Sequence, residues 1–132
     1  MIEVQRKDYL LLLSFNPCEL FSYFGVRELH GASIKECSMY RNTKNDAYIA
    51  GFSNYIPYSD NDDDYEHGDD FFVFINLSRC TNNKETLLLL NHEIMHRAFE
   101  RYNWNVAGKE EEMVSWAEKE TAEVYNIVKQ YL

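Results

Sequence analysis

The sequence predicts an α+β fold over residues 1–132: a small, mostly antiparallel sheet packed on a central helix and a long C-terminal helix. Three observations predict it. At 132 residues, 45% of them hydrophobic and 15% aromatic, the chain can bury one core and is too apolar to stay disordered. Two stretches, 47–58 (AYIAGFSNYIPY) and 71–77 (FFVFINL), carry the aromatic and β-branched residues of strands. Two long stretches beyond residue 82 repeat their apolar residues at helical spacing.

Residues 8–15 (DYLLLLSF) are apolar on every side, so periodicity leaves strand and helix both open. Asn16 then suits a helix cap, Pro17 a first turn and Glu19 the position three after the cap, with Gly25 as the stop. Leu20, Phe21 and Phe24 give that short helix an apolar face for packing. Residues 26–46 are mixed and end in a turn-rich run, RNTKND. The strand reading of 47–58 is interrupted by Gly51 and closed by Pro57. Between it and 71–77 lies a polar connection, which suggests an antiparallel pair.

That connection holds most of the charge. Of the net −9, seven negative charges sit in residues 59–70 (Asp60, Asp62, Asp63, Asp64, Glu66, Asp69 and Asp70), so the remainder is nearly balanced. The acids lack the spacing of a calcium loop and read as solvated. An acidic chain of this kind is not expected to bind nucleic acid.

Asn82 with Glu85 three later forms a capping-box pattern, and a helix is expected from about 83 to about 101. Leu88, Leu89, His92, His96 and Phe99 share one face, and Leu87, Leu90, Ile94 and Ala98 another. A helix apolar nearly all round is expected to be central and buried. Histidines inside it would need partners. After a short connection at 102–108, a second helix is expected over 109–132. Its stripe is Met113, Ala117, Val124, Ile127, Val128 and Tyr131. So short a connection makes the two helices antiparallel neighbours. Trp104 and Trp116 read as packing residues.

The chemistry lies in residues 92–96, His92-Glu93-Ile94-Met95-His96. On a helix, residues four apart stand one above the other, so both imidazoles can grip a single zinc ion. Glu93 lies beside them, able to take a proton from a metal-activated water. Two histidines do not complete a catalytic zinc site, which ordinarily has a third protein ligand. Glu110, Glu111 and Glu112 are the candidates. At ~100° per residue, Glu110 falls above Met113, Val114 and Ala117, whereas Glu111 and Glu112 fall on the flanks. Glu110 is the leading ligand and Glu111 the reserve, although acids also suit a first helical turn through the helix dipole alone.

The run HEIMH followed by EEEMVSWA (110–117) resembles the gluzincin branch of zinc metallopeptidases. Within that branch it is similar to the small HExxH proteins of bacteria, phages and mobile elements, the ImmA/IrrE-like group. The resemblance covers roughly residues 71–120, and nothing in 1–70 carries it. It implies a minimal zincin-like domain that hydrolyses peptide bonds. His92, His96 and a helix-borne Glu would hold zinc, and Glu93 would be the general base. The substrate would be a peptide or protein, and a single regulatory partner is one form of it. The strand 71–77 would then stand where zincins place the strand that lines the substrate. Arg97, directly after the second histidine, departs from the family pattern. Donors for the oxyanion could be His67, Arg101, Tyr102 or Tyr125, and the sequence does not choose among them. The rival reading is a catalytically inactive zincin-fold binding or regulatory module with a structural or vestigial metal site.

Cys18, Cys37 and Cys80 are odd in number and have no C-x-x-C spacing, which fits idle thiols in a reducing compartment. Arg6-Lys7 before the early leucines is followed by Asp8 and by no cleavage site, unlike a signal peptide. The run at 9–13 is far short of a membrane span. The expectation is a cytoplasmic protein with no membrane partner.

Overall fold

The computed structural model describes residues 1–35, 37, 50–57, 70–102 and 108–132. The early apolar run resolves as an antiparallel hairpin, β1 (Ile2–Gln5) with β2 (Leu10–Ser14), in register Ile2 to Leu13. Next come α1 (Glu19–Phe24), the small antiparallel pair β3 (Glu28–Leu29) and β4 (Ala32–Ser33), β5 (Gly51–Tyr55) and β6 (Phe71–Asn76). Two long helices follow, α2 (Asn83–Arg101) and α3 (Glu110–Lys129). The main sheet has the order β1-β2-β6-β5. Its β5–β6 pairing is antiparallel, as expected, but β2 and β6 run parallel.

That parallel pair explains why residues 10–14 gave no periodicity. Leu11, Leu13, Val73 and Ile75 face the long helices, whereas Leu12, Phe72 and Phe74 face α1 and the β3–β4 pair. A strand buried on both faces has no polar side to alternate with. Phe72, Phe74 and Leu11 to Leu13 are all 0% exposed. The sheet is therefore the middle layer, with α2 and α3 on one side and α1 with β3–β4 on the other.

The local signals act close to where the sequence places them, except that the cap position of α1 falls at Cys18, without a side-chain hydrogen bond, rather than at Asn16. Asn16 Oδ1 accepts from the Cys18 N–H at 3.1 Å ahead of α1. Gly25 ends α1 at φ 67°, a left-handed conformation that glycine adopts without strain. Asn82 Oδ1 accepts from the Glu85 N–H at 2.8 Å and starts α2. The strand expected over 71–77 stops at Asn76, whose side chain accepts from the Ser78 N–H and opens a 3-10 turn.

Two polar clusters pin the β1–β2 turn to the helices. Arg6 donates to Glu120 through Nε at 2.7 Å and to Glu123 through Nη2 at 2.5 Å, and the Tyr9 hydroxyl donates to Glu120 at 2.7 Å. Burial pushes the Glu120 carboxyl up, but the Arg6 and Tyr9 hydrogen bonds outweigh it and hold the group below its ordinary range. Arg101 pairs with Asp8 at 2.5 Å and lies over the Trp116 ring. Trp116 is thus a packing residue, as read. Trp104, His67 and the acidic residues 60–69 lie outside the described residues. No helix among the described residues is long and apolar enough to cross a membrane.

Candidate metal centre

α2 lies across β5 and β6, and this fixes which of its sides is buried. Thr86, Leu90, Glu93, Ile94 and Ala98 face inward. Leu87 and Leu88 are 39% and 57% exposed, and the His92 side chain is 68% exposed. The expectation of a helix buried nearly all round is therefore corrected. The sheet and α3 cover only part of its circumference: Leu88, His92 and His96 are exposed, and Phe99 is partly buried against the core. Those residues, with Asn91 and Met95, line an open, mostly apolar groove.

Within that groove the imidazoles converge. His92 Nε2 and His96 Nε2 are 3.3 Å apart, with the rings edge to face at a centroid distance of 4.9 Å. Glu93 turns the other way, under the helix toward β5, and is only 5% exposed. Its Oε1 stands 4.0 Å from His92 Nε2. Among the described residues, His92, Glu93 and His96 are the group of potential ligands whose donor atoms lie within 4.8 Å of one another.

β5 shapes the pocket for Glu93. In the antiparallel register, Ile56 donates to the Asp70 carbonyl and Asn76 donates to the Ala50 carbonyl. Even-numbered residues of β5 therefore bond to β6, and odd-numbered residues turn their backbone outward. The same odd residues send their side chains toward α2. At 51 there is no side chain, and the Glu93 chain fills the gap: a Cβ there would sit 2.6 Å from Glu93 Cγ. At 53 a serine hydroxyl donates to Glu93 Oε2 at 2.5 Å. At 55 a tyrosine hydroxyl donates to Glu100 at 2.5 Å, a second tie between strand and helix. Burial pushes the Glu93 carboxyl up, and the Ser53 hydrogen bond, His96 and His92 pull against it.

Sequence reasoning placed His92, Glu93 and His96 together but missed Gly51 and Ser53 as their neighbours. The glycine interrupting a strand was the available signal, since such a residue often marks close approach. Ser53 carried none, because its role depends on register.

The other expectations divide. Glu110, Glu111 and Glu112 are exposed in the first turn of α3 and do not join the His92–Glu93–His96 group. β6 is an interior strand, so the place of the sheet's edge beside α2 belongs to β5. Arg97 does not point outward. It lies half-buried, its guanidinium 5.2 Å above the Phe71 ring and its Nε enclosed without a hydrogen-bond partner among the described residues. Burial lowers its pKa. Of the oxyanion candidates, Arg101 is engaged by Asp8, and Tyr102 and Tyr125 pack against the core between sheet and helices. None of these three lines the histidine groove. No family model, no curated protein and no solved structure matches the chain.

Proposed function

We propose that the chain is a zinc-dependent peptidase of the small HExxH type, with a minimal zincin-like fold, acting in the cytoplasm on a peptide or protein. The observation that carries this reading is the spacing of the imidazoles. Two nitrogens bound to one tetrahedral ion at ~2.05 Å stand about 3.3 Å apart, and the His92 and His96 Nε2 atoms are 3.3 Å apart. The donor set of two neutral imidazoles is one that zinc favours. The groove on the exposed side of α2 leaves room for a substrate beside them.

His92 and His96 would hold the ion. Glu110 is the first choice for a third ligand, because it extends the buried α3 stripe of Met113 and Ala117 that packs toward α2. When bound, zinc would act as a Lewis acid, lowering the pKa of a water and polarising a peptide carbonyl. Glu93 takes the proton from the attacking water and returns it to the leaving nitrogen. Ser53 and the gap at Gly51 hold that carboxylate against β5. The outward N–H and C=O groups of Gly51 and Ser53 can pair with an extended peptide, laying it alongside the histidines. Tyr55 does not extend this edge, because its carbonyl is bonded to His30 Nε2 at 2.9 Å.

The test is cleavage of a peptide library by the zinc-loaded protein and by Glu93→Gln. The reading expects cleavage by the wild type and a loss of at least about a hundredfold in the variant, with zinc retained. The second reading is a binding module without turnover. It is favoured by the absence of an α3 glutamate from the histidine group. It expects no cleavage by either protein and equal zinc in both.

A further inference from the structure

We propose that Cys18 and Cys37 form a reversible disulfide, a redox-modification site on the opposite side of the sheet from the histidine groove. Their Sγ atoms are 2.7 Å apart. That is closer than two unbonded sulfurs rest, and within about 1 Å of the ~2.05 Å of a bonded pair. The sequence concealed the pairing. The cysteine count is odd, and the partners are 19 residues apart. The turn into α1 brings Cys18 to the edge of the core cluster in which Cys37 is buried with Leu20 and Phe21.

The two thiols differ in access. Cys18 is half-buried, whereas Cys37 is 3% exposed. An external disulfide such as oxidised glutathione can therefore reach Cys18 first. The Cys18 thiolate attacks one glutathione sulfur, forming a mixed disulfide and releasing one glutathione thiol. The Cys37 thiolate then attacks Cys18 Sγ, which expels the second glutathione. Two protein thiols become one disulfide, and their two protons and two electrons leave on two molecules of glutathione. The step at Cys37 is internal and needs no reagent to enter the core. Cys80 packs against the other core cluster, beyond the sheet, and burial pushes its thiol up. It serves as the internal control.

Closure would staple α1 to the β3–β4 layer. It would also fix the point from which the chain departs toward β5, the strand that holds Glu93. The test is non-reducing peptide mapping of the full chain after equilibration with oxidised and reduced glutathione. Free thiols are alkylated before digestion. The expected result is a Cys18–Cys37 linked peptide with the mass loss of two hydrogens and with Cys80 alkylated. The crosslink should be absent from Cys18→Ser and from Cys37→Ser. The oxidised wild type should melt on the order of 10 °C higher than the reduced form, and Cys80→Ser should retain that shift. Alkylation of all three thiols, a stable glutathione adduct at Cys18, or a crosslink involving Cys80 would each overturn the proposal.

Discussion

Replacing Gly51 with alanine asks whether Glu93 truly occupies the space above β5. In an ordinary strand this change is mildly stabilising, by about 0.5–1 kcal/mol, because alanine loses less backbone entropy on folding. Here the added Cβ would lie 2.6 Å from Glu93 Cγ, 2.8 Å from Cδ and 2.8 Å from Oε1. The nearest of these is the middle of the side chain, and Glu93 is only 5% exposed. The carboxylate would have to leave its pocket and give up the hydrogen bond from Ser53. Overpacking of this kind costs about 1–3 kcal/mol, so the expected sign is opposite to the usual one. The assay is urea unfolding of the metal-free protein, combined with a double-mutant cycle. In a Glu93→Ala background the clash disappears, and Gly51→Ala should become neutral or stabilising. The two sites should couple by about 1–2 kcal/mol. Gly51→Ala that stabilises the wild type, or that costs the same in both backgrounds, would refute the placement of Glu93 against β5.

Four further outcomes follow from the same geometry. Ser53→Ala should destabilise the metal-free protein by about 1–3 kcal/mol, because the buried Glu93 carboxyl loses a donor; Ser53→Thr should restore part of the loss, and equilibrium unfolding of both checks it. Arg6→Ala should cost about 1–3 kcal/mol at pH 7. Glu120 is held below its ordinary value of 4.5, so its contribution is present above that value and is lost as pH falls through the depressed one. The gap between wild type and Arg6→Ala should therefore narrow as pH falls below 4.5 in acid unfolding curves. Leu90, which is 0% exposed, should cost about 2–5 kcal/mol on replacement by alanine, measured by denaturant melts. Glu110→Gln should weaken zinc binding by at least about tenfold, with Glu112→Gln unchanged; equal affinity in both would remove Glu110 from the ligand set.

What the sequence disclosed follows how each residue acts. Local signals were legible: the Asn82 cap, the Gly25 stop, and the four-residue spacing that sets His92 over His96. The α+β composition and the antiparallel β5–β6 pair were legible too, because aromatic and β-branched runs mark strands. Relations that depend on which strand lies beside which were not. The β2–β6 pairing is parallel and buried on both faces, so Leu10 to Leu13 gave no alternation to read. The placement of β6 inside the sheet moved the edge role to β5, and with it Gly51 and Ser53 beside Glu93. The exposure of His92 was missed because apolar residues all round α2 suggested full burial, whereas Leu87 and Leu88 are themselves exposed. Cys18 and Cys37 meet only through the packing of α1 against residues that follow β4, which no spacing rule encodes.

Zinc stoichiometry of the purified chain, measured by elemental mass spectrometry after exhaustive dialysis, tests the metal reading most directly. One zinc per chain is expected in the wild type and in Glu93→Gln, and little or none in His92→Ala or His96→Ala. A wild type without zinc, or histidine variants that hold as much of it as the wild type, would contradict the assignment of His92 and His96 as ligands.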